Sequence, residues 1–330
     1  MERSADAVAQ PDEADFRPAW WLPSPHLQTL WPVLMRRPRR LALRRERVEL
    51  ADGDFIDLAG CGPAAGPGVL VIHGLEGSLA SHYATPLLTA LSGAGYQALF
   101  MHLRGSGEEP NRLARSYHSG ASDDLREVLA YLRTRGRAPR AAIGFSLGGN
   151  LLLKHLGETG ADSGLDCAVA VSVPFRLQDA VRRMEQGFSR LYGRYLLGRL
   201  KRSYRRRFRR RSSPLDVDID RVRSIHEFDD RITAPLNGFA GAEDYYRRCS
   251  AAAFVGDIIT PTLILHARDD PFMYPDNVPA SAELGPGVRL QLSEHGGHVG
   301  FVAGRLPWRP VYWAEQRILA WLEQRLAPSR

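Results

Sequence analysis

Lysine is almost missing from this chain. Of 44 basic residues in 330, only Lys154 and Lys201 are lysines, and arginine takes every other cationic position. Genomic base composition alone produces such a bias, so arginine content by itself argues for no function. Cysteine is scarce too. Cys61, Cys167 and Cys249 are scattered and odd in number, which speaks against a disulfide scaffold and against a cysteine-based metal site. No uninterrupted apolar run reaches the roughly 18 residues of a membrane-spanning helix. The N-terminal stretch MERSADAVAQPDEADF lacks the charged-then-apolar layout of a secretory signal. A reduced, cytoplasmic compartment is the simplest reading, and neither metal nor organic cofactor is implied.

Hydrophobic residues make up 44% of the chain, enough for a substantial core in one large domain or two ordinary ones. The net charge of +7 is unevenly spread. Residues 182–211 carry thirteen basic residues against the single acid Glu185, and the rest of the chain is net acidic. One segment makes the protein basic.

Short apolar runs alternate with helical patterns. RVELADGDFIDLAG reads as a hairpin turning at Asp52-Gly53. GVLVIHG, YQALFMHL, AAIGF, LDCAVAVS, PTLILHA and VRLQLSE read as strands, several of them apolar throughout, as strands covered on both faces should be. Between them, HYATPLLTALSGAG and SDDLREVLAYLRTRG read as helices, the second with Ser122 as its N-cap. RPVYWAEQRILAWLEQRL reads as a terminal helix. Such alternation predicts an α/β fold with a mostly parallel central sheet and helices on both faces. The rhythm stops over 175–255, which predicts an inserted helical lid. The expected layout is a leader over 1–45 packed on or near the core, a core over 46–174 and 256–330, and the lid between.

GFSLGGN (144–150) sets the hydroxyl of Ser146 among three glycines, between a strand and a helix. Taken alone, Gly-x-Ser-x-Gly fits a plain glycine-rich turn as well as a nucleophile held on a strained bend. A serine nucleophile needs a base, a carboxylate to orient that base, and donors for the developing oxyanion. Open parallel sheets gather such groups beyond the carboxyl ends of their strands. Asp269 and Asp270 follow TLILHA directly, and His295 and His298 follow the last strand of that rhythm. Asp270, which precedes Pro271, is favoured as the acid by its likeness to hydrolase loops, leaving Asp269 to cap the turn. His298 between Gly297 and Val299 is the better base. The oxyanion donors expected are the backbone N–H groups of Leu147 and Leu75, with His73 structural. Histidines 26, 82, 102, 118, 155, 226 and 266 read as packing or surface residues, His118 the least clear-cut.

A denser set of motifs carries a resemblance. HGLEGSLASHY (73–83), YHSGASDDL (117–125), GFSLGGNLLLKHLGE (144–158), VSVPFRL (171–177), FDDRITAPLNGFAGAEDYYRRCS (228–250), PTLILHARDDPFM (261–273) and EHGGHVGFV (294–302) resemble the YheT-type branch of the α/β-hydrolases, the AB hydrolase 4 family. The leader's HLQTL fits that pattern, and RGSGE (104–108) is one residue shorter than the family's RGCSG. The resemblance implies an α/β-hydrolase fold with the charge relay on Ser146, Asp270 and His298. It also implies a serine hydrolase of carboxylic esters, taking short-chain esters or acyl lipids such as monoacylglycerols. A thioesterase or acyltransferase with the same trio is the alternative. The basic segment has three readings. One is a solvated amphipathic lid, with Phe188, Leu191, Tyr192, Tyr195, Leu196, Leu200, Tyr204 and Phe208 at helical spacing. A second is a contact with anionic membrane through 182–211, which would hold the protein at the inner face of the membrane. The third, ranked lowest, is an RNA-clamping arm (RRRFRRR) on a protein with a vestigial site.

Overall fold

The computed structural model describes residues 16–326, so the first fifteen residues of the expected leader lie outside the described residues. Eight strands form one sheet: β1 (Arg44–Glu49), β2 (Phe55–Cys61), β3 (Gly68–Ile72), β4 (Gln97–Met101), β5 (Pro139–Phe145), β6 (Cys167–Val171), β7 (Thr262–Ala267) and β8 (Val288–Ser293). Their order is β1-β2-β4-β3-β5-β6-β7-β8. The β1/β2 and β2/β4 pairs are antiparallel, and every other pair is parallel. A separate hairpin joins β9 (Val302–Leu306) to β10 (Arg309–Tyr312).

Helices α1 (Pro25–Met35), α2 (Ala84–Gly93), α3 (Ser122–Thr134) and α4 (Leu147–Thr159) precede the seventh strand of that sheet. Side chains alternate across each strand. Leu70 and Ile72 therefore face the core shared with Leu125, Val128 and Leu151 of α3 and α4. Val69 and Val71 face the opposite core with Leu87, Leu91, Ile318 and Trp321. That second face holds α2 and the C-terminal helix.

The segment between β6 and β7 is helical: α5 (Leu177–Arg183), α6 (Ser189–Arg207), the short α7 (Ile225–Phe228) and α8 (Ala234–Leu236), and α9 (Ala242–Cys249). A π-type turn, Asp229–Thr233, joins α7 to α8. These helices share a core of their own, built on Val181, Leu197, Leu200, Tyr204, Phe228 and Tyr246. Leu75 and Phe272 of the sheet domain pack against it.

Two local expectations are corrected. The terminal helix, α10 (Trp313–Leu326), begins four residues later than RPVYW suggests. Val311 and Tyr312 pair instead with Ala303 and Val302, and Pro310 falls at a break in the strand register, where its missing N–H costs no ladder bond. Ser122 does not cap α3. Its buried hydroxyl donates to Glu158 (2.5 Å) and accepts from Lys154 (3.1 Å), so α4 competes successfully for it. The RGSGE loop is anchored from within. The Arg104 guanidinium, 1% exposed, pairs with Asp124 (2.6 Å), Asp54 (3.0 Å) and Asp52 (3.0 Å).

Candidate active site

Ser146 joins β5 to α4 with φ 51° and ψ −118°, a conformation that non-glycine residues rarely adopt. Packing holds it there. A Cβ on Gly148 would lie 2.5 Å from the His73 carbonyl, and one on Gly144 would lie 2.4 Å from the Gly148 carbonyl. Any side chain at either position would push the turn out of shape. The Ser146 N–H donates to the Val171 carbonyl of β6 (2.8 Å), which fixes the bend to the sheet edge.

Loops that follow the last two strands of the sheet complete the cluster. The Ser146 Oγ lies 3.1 Å from His298 Nε2, and His298 Nδ1 lies 2.8 Å from Asp270 Oδ2. Asp270 is 2% exposed, and its Oδ1 accepts the Phe272 N–H (2.9 Å). Phe272 lies flat on the His298 ring, centroids 4.0 Å apart and planes within 6°. Asp269 faces outward, accepting from Gly297 N–H (3.0 Å) and meeting His295 Nδ1 (3.2 Å). Of the two Asp–His pairs, only Asp270–His298 meets a hydroxyl.

The turn after β3 runs beside the serine, for a Cβ on Gly74 would come 3.1 Å from Ser146 Cβ. In that turn Gly74 N–H donates to the Tyr83 hydroxyl (3.1 Å), Glu76 N–H to the Tyr117 hydroxyl (2.7 Å) and Gly77 N–H to the Gly74 carbonyl (2.9 Å). Leu75 N–H has no partner among the described residues. Leu147 N–H is at the first position of α4, where helix geometry supplies no acceptor. Both leucines line the same cavity as Ser146 and His298. Its volume is about 760 Å³, in the range of small-molecule sites. Leu30 and Val33 of α1, Leu177 and Val181 of α5, and Leu191 and Leu196 of α6 make its wall mostly apolar. Among the described residues no three His, Cys, Asp or Glu side chains are grouped to hold a metal.

The sequence pattern of the family described as "alpha/beta hydrolase fold" matches residues 67–304. The chain belongs to the α/β-hydrolase family. It is 46% identical to the Escherichia coli (strain K12) protein named "Putative esterase YheT", over 97% of this chain and 96% of that one. It is 28% identical to human "Phospholipase ABHD3", over 90% of this chain and 76% of that one. Among solved structures, the esterase Pf2001 of Pyrococcus furiosus superposes with a TM-score of 0.57 at 17% identity, covering 87% of this chain and 94% of that one. That last likeness concerns the fold.

The His298 loop of this α/β-hydrolase leans on residues that no sequence motif singled out by chemistry. Thr29 Oγ1 on α1 accepts the His298 N–H (2.9 Å). Gln28 bridges the loop's far end, accepting Val302 N–H (2.7 Å) and donating to the Val302 carbonyl (3.0 Å). Ser172 Oγ, after β6, accepts Val299 N–H (3.0 Å). HLQTL was visible in the sequence, yet nothing there said that its Gln and Thr are buried against a loop some 270 residues away. His73 is a wedge: its Nδ1 donates to the Gly74 carbonyl (2.7 Å), and its Nε2 accepts Leu103 N–H (3.1 Å). His118 is buried and accepts Gly120 N–H on Nδ1 (3.2 Å).

These buried rings set an acid limit. Burial pushes His73, His82 and His266 down to about 4 and His118 to about 3. Between about pH 6.5 and pH 4 the unfolded chain therefore binds protons that the folded rings refuse, so stability rises with pH across that window. Asp229, pushed up to about 6 by burial, has the opposite sign from about pH 4 to 6, as do Asp124 and Asp269, which burial also raises. Burial lowers His26, His102 and His155 as well, so the histidines outnumber these acids. The urea midpoint should fall steadily as buffer is taken from pH 7 to about pH 4.5. A flat or rising midpoint would contradict neutral burial of these histidines.

Proposed function

We propose that this chain is a serine hydrolase of carboxylic esters, acting on short-chain esters or acyl lipids such as monoacylglycerols. His298 Nε2 takes the Ser146 proton as Oγ attacks the ester carbonyl carbon. The N–H groups of Leu147 and Leu75 receive the oxyanion. Asp270 holds the imidazole tautomer and stabilises the imidazolium. His298 then gives the proton to the departing alkoxide, leaving an acyl group on Ser146. Water, deprotonated by the same ring, releases the acid and restores the serine. The observation that carries this reading is the hydroxyl–imidazole–carboxylate line, 3.1 and 2.8 Å, at an apolar cavity. In this scheme residues 46–174 and 256–330 are the catalytic core, 175–255 the lid and 1–45 the leader, whose Gln28 and Thr29 brace the His298 loop.

The chemistry of the trio serves thioester hydrolysis or acyl transfer equally well, and the acyl length is set by the cavity. Each methylene buried there contributes about 0.8 kcal/mol, roughly fourfold in kcat/KM. A fluorophosphonate probe should label the wild-type chain and leave Ser146→Ala unlabelled. Over a panel of ester and thioester substrates, kcat/KM should climb with acyl length until the cavity is full. Equal labelling of the two proteins would overturn the nucleophile, and a rate flat in acyl length would overturn the acyl pocket.

A membrane-contact reading is favoured by the cavity rim rather than by the arginine run as a whole. Val33, Leu34 and Met35 of α1 are 54%, 74% and 58% exposed. Phe188, Leu191 and Tyr195, which line the same cavity, are 49%, 53% and 58% exposed. Arg37, Arg39 and Arg40, which follow α1 in sequence, and Arg194, beside Tyr195 in sequence, are exposed and have no ion-pair partner among the described residues. The RRRFRRR stretch is largely engaged internally instead. Arg205 pairs with Asp220, Arg206 donates to the Gly105 carbonyl (2.9 Å), and Arg211 donates to the Arg112 and Leu113 carbonyls. That use of its cations also counts against an RNA-clamping arm. Each exposed arginine near an anionic surface is worth about 1 kcal/mol. The chain should float with vesicles containing about 30% anionic lipid and lose that association when Arg37, Arg39, Arg40 and Arg194 are replaced by alanine. Undiminished flotation of that variant would contradict the rim as the contact.

A further inference from the structure

Glu76 is buried, 9% exposed, yet it has φ 54°, a left-handed conformation that costs a non-glycine residue about 1–2 kcal/mol. Two hydroxyls from distant segments hold it. The Tyr117 hydroxyl accepts the Glu76 N–H (2.7 Å) and lies 3.1 Å from Glu76 Oε1, where it donates. Ser203, on α6 of the inserted segment, donates to Glu76 Oε2 (2.6 Å). The carboxylate is therefore a rivet between the turn after β3 and the helix above it.

The peptide plane next to this rivet is the one that matters. In a trans peptide the carbonyl and the N–H point in opposite directions. The Gly74 carbonyl is held by His73 Nδ1 (2.7 Å) and by Gly77 N–H (2.9 Å). With that oxygen fixed, the Leu75 N–H is aimed the other way, and Glu76 fixes the next plane. The far end of α6 is fastened as well. Ser189, fully buried, donates to the Pro271 carbonyl (2.5 Å), directly after Asp270. One turn on, Tyr192 packs on Phe272 (centroids 5.0 Å apart), the ring that lies flat on His298. Ser189 and Ser203 are fourteen positions apart on one helix, a span of about 21 Å. The helix thus crosses the site and is tied at one end to the acid loop and at the other to the turn carrying Leu75.

We infer that Glu76 and Ser203 are positioning residues for the oxyanion hole: α6 docked through the Ser203–Glu76 hydrogen bond fixes the peptide plane after Leu75 and, together with the bonds on the Gly74 carbonyl, holds the Leu75 N–H in its direction. The inference rests on the serine hydrolase reading and adds to it that the helix over the cavity also tunes the transition-state site. Ser203 is not among the residues that line the cavity, so its effect falls on the oxyanion rather than on substrate binding. Removing an oxyanion donor outright costs on the order of 10²–10³ in rate. A donor left present but free to turn costs less.

The test uses the full chain with an ester substrate and a trifluoromethyl ketone of the same acyl length, which forms a tetrahedral oxyanion on the serine. Ser203→Ala should lower kcat about tenfold, with KM within about twofold, and weaken the ketone by that same factor of about ten. Ser203→Thr, which keeps a hydroxyl, should restore both. Circular dichroism and the melting temperature show that both variants are folded. Wild-type kcat and ketone affinity in Ser203→Ala would overturn the coupling, as would a raised KM at unchanged kcat. Should Ser146→Ala hydrolyse the ester at the wild-type rate, the hydrolase reading fails and the coupling with it. An inert Ser146→Ala beside an unimpaired Ser203→Ala rejects the coupling alone.

Discussion

A carboxylate sealed from water and facing one imidazole nitrogen is the interaction on which the rest of this structure converges. Asp270 is 2% exposed, and its two oxygens are taken by the His298 ring and the Phe272 amide. A buried charge is tolerable only when it is fully hydrogen-bonded. The pair therefore stands or falls with the loops that deliver it. Much of the molecule serves that delivery: the parallel strands that end at one edge, the Thr29 and Gln28 side chains that pin the histidine loop, and Ser172, which meets it from below. A backbone clash guarded by Gly144 and Gly148 keeps Ser146 at the third corner.

The positive charge of the chain divides into two populations that its composition does not separate. Arg205, Arg206 and Arg211, near the end of α6, are spent on the protein's own carboxylates and carbonyls. Burial pushes Arg207 down to about 10. Arg37, Arg39, Arg40 and Arg194 are exposed, form no ion pair among the described residues, and lie in sequence close to the exposed aliphatic residues of α1 and the exposed Tyr195 of α6. Local pairing rather than the sum of charges decides which arginines are available to a partner.

Much of the fold was legible because its signals are local. The apolar runs VLVIH, AAIGF and CAVAV became strands buried on both faces, and Ser146, Asp270 and His298 were marked by falling just past strand ends. What stayed hidden is polar and long-range. Ser122 looked like a helix cap and is a ligand of Glu158, since nothing in SDDL reveals what the next helix offers. Pro310, Val311 and Tyr312 have helical sequence after them and strand partners before them, and pairing with β9 won. Glu76 and Ser203 are 127 positions apart, and neither residue type nor spacing announces their hydrogen bond. Helical periodicity found the apolar stripe of α6, but only packing shows that Tyr192, Leu200 and Tyr204 are inside it while Phe188, Leu191 and Tyr195 stay exposed.

The most direct measurement is an attempt to trap the covalent intermediate that the proposed mechanism requires. Mixing the chain rapidly with an activated ester and quenching in acid should give a burst of one alcohol per chain, with the acyl group on the peptide that contains Ser146. Asp270→Asn, which misaligns the imidazole tautomer, should slow that burst by about 10⁴ while leaving the chain folded. Acyl label on any other residue, or a burst indifferent to Asp270→Asn, would contradict a relay running from this carboxylate through His298 to this hydroxyl.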